Sequence, residues 1–427
     1  MRIVQINTLD VQGGAARAAY RLHRGLVSIG ANSTYFVREK RTRDDTVRKF
    51  IPDPSPAAIA HRASEKAALE TAYDAYKATR SPDIEQFSQE RVDGDENFFI
   101  QRPRAEIINL HWVAGFVDYH LFFTPERIDV PVVWTLHDMN PFTGGCHFDQ
   151  GCGRFRTRCG QCPLLGSSEG EDLTTRIFDA KSKIFAKWPV EKLHIVAPSH
   201  WLVGEAKSSA LFGKYDGTCI PNSIEIDLFK PMDKMAARAA LGLPLNARIV
   251  LFMSHQVSLA RKGFRELVQA LSLLPDTRDL VLIGVGDKTN VAIDSPVRIA
   301  MVNYVGDDAT VAALYSAADI TAVPSQQDNL PNTMLESMSC GTPVVGFDVG
   351  GIPDMVKEGD TGFLAPAGSI PGLGAAFMTA FSDKERLQEC GRRARARVER
   401  HHSPEVQAKA YLALYERILE NAARSPR

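Results

Sequence analysis

The sequence predicts an α/β protein built from two doubly wound domains. Short apolar strands alternate with helical stretches in both halves of the 427-residue chain, a pattern typical of parallel sheets covered by helices on both faces. The length agrees with this division, because a chain of this size is too long for one ordinary hydrophobic core. We therefore expect two Rossmann-like domains that face each other across a cleft.

Four compact apolar runs in the first half are predicted strands, and each ends on polar residues. They are MRIVQINT (1–8), AEIINLHW (105–112), VPVVWTLHD (130–138) and KLHIVAPS (192–199). Functional loops commonly follow the carboxyl ends of such strands. The stretch 38–104 is polar, with a helical piece at 64–80, and is interpreted as an insertion or a flap.

The second half repeats the alternation. Its predicted strands are RIVLFMS (248–254), DLVLIGVGD (279–287), VRIAMVNYVG (297–306), DITAVPS (319–325) and TPVVGFDV (342–349). Its predicted helices are 264–274, 308–318 and 330–339. We expect one domain over 1–221, a second over 222–402, and a closing helix within 403–427.

Bulk composition argues against several classes of protein. With 50 basic and 51 acidic residues the net charge is −1, so no nucleic-acid partner is expected. No run of about 18 apolar residues could span a bilayer, and the N-terminal residues lack the pattern of a secretory signal. Seven cysteines, an odd count, favour a reducing compartment. We expect a cytoplasmic location.

The first 50 residues differ from the rest of the chain in charge. They carry ten basic residues against four acidic ones. Such a bias suits an anionic partner, either a phosphate or a membrane surface. A solvated basic surface explains it equally well.

The segment PSQQDNLPNTMLESMSCGTPVV (324–345) places two acids around a predicted helix start. The helix start would offer backbone N–H groups and a positive dipole end to an anion. The residues of this start are Leu330, Pro331 and Asn332. Glu336 could accept hydrogen bonds from a ribose diol and Asp328 from sugar hydroxyls, so together they suit a sugar nucleotide. Taken singly, each acid is better explained as an ordinary helix-start signal.

The complete pattern, from Pro324 through Glu336 to the C-G-T-P-V-V run at 340–345, resembles the retaining glycosyltransferases of the GT-B fold in the large family four (GT4). In that family an acid, seven further residues and a Glu mark contacts to the donor sugar and its ribose. Asp328 stands where the family usually has Glu. The resemblance implies transfer of a hexose from a nucleotide diphosphate sugar, with retention of configuration and without a catalytic metal.

Two further stretches extend the resemblance over nearly the whole chain. The first, Gly13, Gly14 and Arg17, resembles the family's N-terminal glycine loop, whose backbone approaches the donor pyrophosphate. Only glycine permits so close an approach of the backbone. The second is Arg261-Lys262, which resembles the phosphate-binding Lys of the family.

A Lys and a helix end can neutralise a leaving diphosphate without a metal. The family usually carries an Arg five residues before that Lys, and this chain has Val257 there. Arg261 is therefore a candidate for the second cation.

His137, followed by Asp138 at the end of VPVVWTLHD, resembles the active-site His of the family's first domain. Its implied role is to contact the donor sugar or to orient the acceptor. A neutral imidazole can both donate and accept a hydrogen bond. His111, at the end of AEIINLHW, is a second candidate, and a structural role is the alternative for any single strand-end His.

A glycine-rich loop after His137 contains four cysteines in the spacing C-x5-C-x6-C-x2-C. They are Cys146, Cys152, Cys159 and Cys162. Four thiolates are the ligand set of a structural zinc site, and zinc would supply the folding energy that such a loop lacks. His147 could replace one cysteine, and reduced thiols or a redox pair are the alternatives. A similar loop occurs in bacterial members that resemble exopolysaccharide-assembly enzymes, and its place suggests a role in acceptor binding.

These patterns together favour a hexosyltransferase with His137, Asp328 and Lys262 at the reacting centre. The expected partners are a nucleotide sugar and a glycan or lipid-linked oligosaccharide acceptor, with peripheral contact at the inner face of the membrane. One alternative is a sugar-nucleotide epimerase or hydrolase, which would need a carboxylate pair where only Asp138 is seen. The other is a non-enzymatic binding module that uses the zinc loop.

Overall fold

The computed structural model describes residues 1–80, 87–89, 94–287 and 295–424. The chain forms two compact units. The first comprises Met1–Pro221 and Gln407–Arg427, and the second comprises Asn222–Val406. The last helix of the chain therefore contributes most of its length to the first unit.

A seven-stranded sheet forms the centre of the first unit. Its strands are β1 (Arg2–Leu9), β2 (Asn32–Glu39), β3 (Val47–Lys49), β4 (Ile107–Leu110), β5 (Val132–Thr135), β6 (Leu193–Ala197) and β7 (Asp216–Cys219). They lie in the order β3-β2-β1-β4-β5-β6-β7, and every pair is parallel. Ile3 of β1 is in register with Ile107 of β4. The strand order reverses between these two strands.

Helices lie between the strands of this sheet along the chain. They are α1 (Gly14–Ser28), α2 (Pro56–Asp74), α3 (Asn97–Gln101), α4 (Tyr119–Phe122), α5 (Leu173–Lys187) and α6 (His200–Ser208). Trp134 of β5 is fully buried among aromatic side chains, including those of Tyr119 and Phe185. Apolar strands flanked by helices are the arrangement that the alternating sequence pattern predicts.

The structure places the beginning of the stretch 38–104 in the sheet and not in a flap. Val47 of β3 pairs with Tyr35 of β2, and Phe50 is 1% exposed. The sequence analysis predicted neither strand, because β2 is interrupted by polar residues and β3 is only three residues long. Residues 81–86 and 90–93 of the stretch lie outside the described residues.

The second unit contains a six-stranded sheet. Its strands are β8 (Arg248–Gln256), β9 (Leu280–Asp287), β10 (Arg298–Val302), β11 (Ile320–Val323), β12 (Val344–Phe347) and β13 (Gly362–Ala365). The order is β10-β9-β8-β11-β12-β13, again with parallel pairs throughout. Thr321 of β11 is in register with Leu251 of β8, and the strand order reverses between them.

The remaining helices complete the chain. They are α7 (Lys234–Ala240), α8 (Phe264–Ser272), α9 (Asp308–Ala317), α10 (Asn332–Ser339), α11 (Ile352–Met355), α12 (Ile370–Ser382), α13 (Lys384–His401) and α14 (Pro404–Arg424). Both sheets are doubly wound, as predicted. Among the residues described, no helix combines the length and the apolar character that crossing a membrane requires.

Candidate functional site

The strand-order reversal in the second unit brings two loops to the same edge of the sheet. One loop follows β8 and leads into α8, and the other follows β11 and leads into α10. Ligands of open α/β sheets bind beyond the strand carboxyl ends at such a reversal. Lys262 lies on the first loop and Asp328 on the second, so the fold places these two predicted site residues side by side.

Asp328 binds two cations and a hydroxyl. Its Oδ2 accepts a hydrogen bond from the Lys262 Nζ at 2.6 Å and from the Ser325 Oγ at 3.1 Å. The Arg261 Nη1 lies 3.3 Å from the same oxygen and donates to the carbonyl oxygen of Gln327 at 2.7 Å. Arg261 and Asp328 are buried, whereas Lys262 is partly exposed.

The two cations keep Asp328 ionised. Burial by itself would raise the pKa of this carboxyl, but Lys262 and Arg261 outweigh burial and hold the pKa at about 2. With one carboxylate between two cations, the cluster carries a net positive charge at neutral pH. A positive cluster at the carboxyl edge of a sheet is suited to bind an anion.

Two glycines hold the loops in close contact. Gly263 has φ +74°, and a Cβ there would overlap the carbonyl oxygen of Pro324. Gly350 has φ +57°, and a Cβ there would overlap the carbonyl oxygen of Asp328. Both the backbone conformation and the space therefore require glycine at these two positions.

The helix after Asp328 begins at Asn332, two residues later than the predicted range 330–339. Pro331 is the N-cap of α10 and not its first helical residue. Leu330 is buried, while Asn332 is partly exposed in the first turn. The start of α10 thus lies directly after the loop that contains the Asp328 cluster.

Glu336 lies one turn into α10 and is 6% exposed. Its Oε2 accepts a hydrogen bond from the Tyr315 hydroxyl of α9 at 3.1 Å. The sequence analysis did not identify Tyr315, because its helix is apolar and carries no motif. Val257 is buried in an apolar cluster, whereas Arg261 is the second cation that contacts Asp328.

The reversal point of the first unit has a different chemistry. The His111 Nδ1 and the His137 Nε2 are 3.1 Å apart, and the two rings stack. The His111 Nε2 lies 2.6 Å from the Gln5 Oε1. The Gln5 amide group donates to the Tyr415 hydroxyl of α14 at 3.2 Å, and the Asn109 amide group donates to it at 2.8 Å.

This chain of hydrogen bonds determines where the imidazole protons lie. Since Gln5 donates to Tyr415, its Oε1 faces His111, and the His111 Nε2 must carry the proton. The His111 Nδ1 is then an acceptor for the Nε2–H of His137. A neutral imidazole carries one N–H, so the His137 Nδ1 is the unprotonated nitrogen.

Burial keeps both imidazoles neutral. It lowers the pKa of His137 to about 4 and the pKa of His111 well below the ordinary value. At neutral pH His137 is therefore uncharged, and its Nε2–H is donated to His111.

Asp138, the neighbour of His137, is engaged in a structural network. Its Oδ2 accepts hydrogen bonds from the His147 Nδ1 at 2.6 Å and the Trp112 Nε1 at 3.1 Å. Its Oδ1 accepts from the backbone N–H of Asn140 at 2.9 Å. Burial by itself would raise the pKa of Asp138. His147 and the hydrogen bonds have the larger combined effect and lower this pKa below its ordinary value.

The predicted glycine loop lies at the carboxyl end of β1. Gly13 is the N-cap of α1 and has φ +84°, and Gly14 is the first helical residue. Both glycines are exposed. The backbone N–H of Arg17 donates to the Gly13 carbonyl oxygen at 3.0 Å, which closes the first turn of the helix.

Some of the basic residues near the N-terminus serve the fold. Arg24 pairs with Asp44 at 3.0 Å, and the Lys40 Nζ donates to the carbonyl oxygens of Asp44 and Val47. Arg21 is 3% exposed. Arg24 and Lys40 are therefore engaged by other groups of the protein, and Arg21 is buried away from an external anion.

The four loop cysteines line one small cavity in the first unit. They are Cys146, Cys152, Cys159 and Cys162. Burial raises the pKa of Cys159 to about 12 and also raises the pKa of Cys146. Within the described part of the chain, these thiols do not form a group whose ligand atoms all lie within 4.8 Å of one another.

Parts of the sequence match a known family model and curated proteins. Residues 247–383 match the family model described as "Glycosyl transferases group 1", and this range contains Lys262, Asp328 and Glu336. A D-inositol 3-phosphate glycosyltransferase of Mycobacterium bovis is 36% identical over 152 residues, which cover 33% of this chain and 31% of the relative. The chain thus spans about a third of the length of the curated relatives that it matches.

Solved structures resemble the chain over nearly its whole length. Sucrose-phosphate synthase from Thermosynechococcus elongatus has a TM-score of 0.67 at 20% identity and covers 99% of this chain and 100% of its own. Anabaena HepE, solved in complex with UDP and glucose, has a TM-score of 0.62 at 16% identity, with coverages of 98% and 100%. At such identities the likeness concerns the fold, and the prediction of a GT-B fold class is confirmed.

Proposed function

We propose that this chain is a glycosyltransferase that moves a hexosyl group from a nucleotide diphosphate sugar to a hydroxyl of a glycan or lipid-linked oligosaccharide. The observation that carries the proposal is the cluster of Lys262, Arg261 and Asp328 at the strand-order reversal of the second unit. It lies within the range that matches the glycosyltransferase family model. The resemblance noted above favours retention of configuration and chemistry without a catalytic metal.

Lys262 and Arg261 are the proposed ligands of the donor diphosphate. In the structure they both contact the Asp328 carboxylate, so they already lie where an anion is bound. When the diphosphate binds these two cations, the Asp328 Oδ2 can accept a hydrogen bond from a hydroxyl of the donor sugar in place of its contacts with them. The first turn of α10, with its N-terminal dipole end, would add backbone donors for the same anion.

Glu336 is the proposed ligand of the ribose. Its Oε2 accepts a hydrogen bond from Tyr315, which orients the carboxylate and still leaves lone pairs on both oxygens for a diol. His137 is assigned a contact with the donor sugar or the acceptor, as the resemblance noted above implies. The exposed loop of Gly13 and Gly14 would approach the pyrophosphate.

In the proposed reaction the bond between the anomeric carbon and the diphosphate oxygen breaks, and a bond from that carbon to the acceptor oxygen forms. The nucleoside diphosphate leaves with the bonding electrons, and the acceptor hydroxyl passes its proton to the departing diphosphate oxygen. Lys262 and Arg261 would stabilise the charge that develops on the diphosphate, which is usually the largest contribution to catalysis of this type. Holding donor and acceptor together supplies the rest.

An epimerase or hydrolase on the same fold has less support. Such an enzyme would need a carboxylate pair at the sugar, and Asp138 was the candidate from the first unit. Asp138 is 8% exposed and accepts hydrogen bonds from His147, Trp112 and Asn140. A carboxylate with these contacts serves the local structure.

Donor binding is tested by thermal shift of the full chain with UDP, GDP, ADP, NAD and the corresponding nucleotide sugars. A ligand at 100 times its Kd should stabilise the protein by about 2.7 kcal/mol. One nucleoside diphosphate and its sugar conjugate should produce the shift, and the shift should be lost in Lys262→Ala. Lys384→Ala, an exposed lysine of α13 in the same unit, is the matched control. If no nucleoside diphosphate stabilises the protein, or NAD alone does, the proposal is wrong.

Stereochemistry, metal use and location need their own measurements. Proton NMR of the product should show the anomeric configuration of the donor, and turnover should not change when Mg²⁺ and Mn²⁺ are left out. We also propose a cytoplasmic location with contact to the inner face of the membrane, where a lipid-linked acceptor would lie. Sedimentation with anionic vesicles tests this contact, and a protein that stays in the supernatant at low salt contradicts it.

A further inference from the structure

The cavity lined by the four loop cysteines has the size of a site for one ion. Its volume is about 20 Å³, whereas about 10–15 Å³ is enough for a single water molecule. Asp149 also lines it. Four thiols of one loop therefore line a space that holds one small ligand.

Two buried carboxylates fix the turns that carry the cysteines. The Asp172 Oδ2 accepts from the backbone N–H of Cys162 at 2.9 Å. The Asp149 carboxylate accepts from Gly151 at 3.3 Å and from Gly153 at 2.8 Å, on either side of Cys152. Groups that orient metal ligands in this way are a regular part of metal sites.

The loop also contains unfavourable backbone conformations beside its cysteines. Among the described residues, the non-glycine residues with positive φ are Gln150 at 49° and Gln161 at 46°. Gln161 directly precedes Cys162, and Gln150 is two residues before Cys152. Such conformations cost of order 1 kcal/mol or more and persist when other interactions enforce them.

The segment has little regular structure to offset this cost. Between β5 and α5 the described structure consists of 3-10 turns at Asn140–Phe142, Arg154–Arg156 and Pro163–Leu165, joined by irregular loop. A metal ion can supply the folding free energy in such a segment.

We propose that Cys146, Cys152, Cys159 and Cys162 bind one structural Zn²⁺ ion as thiolates in a tetrahedral arrangement. Binding would place the sulfur atoms about 2.3 Å from the ion and would release the thiol protons to solvent. The proposal does not depend on the glycosyltransferase activity.

The ion would hold a junction between several parts of the first unit. Cys162 and Leu165 pack against Tyr73 and Tyr76, at and beyond the end of α2, and the Thr79 hydroxyl donates to the Leu165 carbonyl oxygen at 2.7 Å. On the other side, His147 follows Cys146 directly and binds Asp138. Zinc would therefore fix both the segment around α2 and the residue beside His137.

The test is the metal content of the full-length chain, purified under reducing conditions without added chelator and measured by inductively coupled plasma mass spectrometry. We expect about one zinc ion per chain in the wild type and in Cys390→Ser, a control cysteine of α13 that does not line the cavity. In the double variant C159S/C162S the zinc content should fall at least tenfold. Wild-type occupancy in the double variant would overturn the proposal.

A second measurement uses the wild type alone, in case the double variant does not fold. The protein is freed of metal by a chelator under anaerobic conditions and titrated with Co²⁺. We expect one equivalent to bind with the intense thiolate-to-cobalt charge-transfer absorption of sulfur coordination, and Zn²⁺ to displace it. Absence of this absorption, or no binding of either metal, would overturn the proposal.

Discussion

The two strand-order reversals occupy equivalent places in their sheets but contain opposite chemistry. In the second unit, Lys262 and Arg261 surround Asp328, and the site is held together by charge. In the first unit, His111 and His137 are neutral and are held by a chain of hydrogen bonds that ends at Tyr415. The cluster in the second unit is suited to bind an anion, and the histidine pair in the first unit is suited to orient a hydroxyl. Group transfer requires both kinds of contact.

The two positions also differ in the sequence separation between the residues that contact each other. Lys262 and Asp328 are 66 residues apart, on loops that follow adjacent strands. Gln5 and Tyr415 are 410 residues apart. The first arrangement depends on one sheet, whereas the second depends on the docking of the C-terminal helix.

The largest expected effect is that of Lys262→Ala. Removal of the cation proposed to stabilise the leaving diphosphate should lower kcat/KM at least about 100-fold, as loss of one such donor does in other enzymes. The measurement is transfer with the donor identified by thermal shift. Lys384→Ala should retain wild-type activity, and turnover of Lys262→Ala within a few-fold of wild type would remove Lys262 from the mechanism.

The next effect concerns stability at low pH and should be larger in the first unit, because in the second unit burial lowers the pKa of one histidine among the described residues, His402, to about 4. In the first unit burial lowers the pKa of four histidines, His23, His111, His137 and His194. These groups bind fewer protons when folded than when unfolded, so stability is lost as the pH falls from about 6.5 to about 4. For His23, which is fully buried and has a pKa of about 4, the loss amounts to about 3 kcal/mol.

The Asp328 cluster of the second unit should respond at lower pH. The pKa of Asp328 is about 2 in the folded chain, so the stability that this carboxylate contributes is lost as the pH falls from about 4 to about 2. Hydrogen exchange followed by mass spectrometry from pH 7 to pH 3 should show strands of the first unit losing protection first. Earlier loss around β8 and β11 would contradict the comparison.

A smaller effect is expected for Glu336→Gln. The change keeps the size of the side chain but replaces one carboxylate oxygen by an amide, so one acceptor for the ribose diol is lost. We expect KM for the donor to rise about tenfold, equivalent to about 1.4 kcal/mol, with a smaller change in kcat. Glu385→Gln, an exposed position of α13, is the control, and an unchanged KM would remove Glu336 from the ribose site.

The sequence was sufficient to predict that Lys262 and Asp328 lie close together in the second unit. Lys262 and Asp328 each follow a predicted strand, and the carboxyl ends of neighbouring parallel strands meet at one edge of a sheet. Tyr315 was not predicted, because nothing in an apolar helix indicates which hydroxyl will face a buried carboxylate. Strands β2 and β3 were missed because β2 pairs with β1 and β3 pairs with β2, and this pairing stabilises them more than their own composition does.

The hydrogen-bonded histidine pair of the first unit was only partly predictable, for a related reason. His111 and His137 were identified from their positions at strand ends. The role of Tyr415 depends on where α14 docks, and the amphipathic pattern of a helix indicates its apolar face but not the sheet that it covers. Contacts across 410 residues of sequence leave no local signal.

The smallest expected effect on turnover is that of Tyr415→Phe, which tests whether the C-terminal helix orients His137. The change leaves the amide groups of Gln5 and Asn109 without their buried acceptor, at a cost to stability of about 1–3 kcal/mol. If Gln5 then rotates, His111 loses the partner that fixes its tautomer, and the pKa of His137 should shift in the NMR titration of the ring. Tyr411→Phe is the matched control, because the Tyr411 hydroxyl contacts Thr135 and neither imidazole. Equal His137 titrations in the two variants would mean that α14 supports the fold alone, and a change confined to Tyr415→Phe would identify Tyr415 as a positioning residue of the first site.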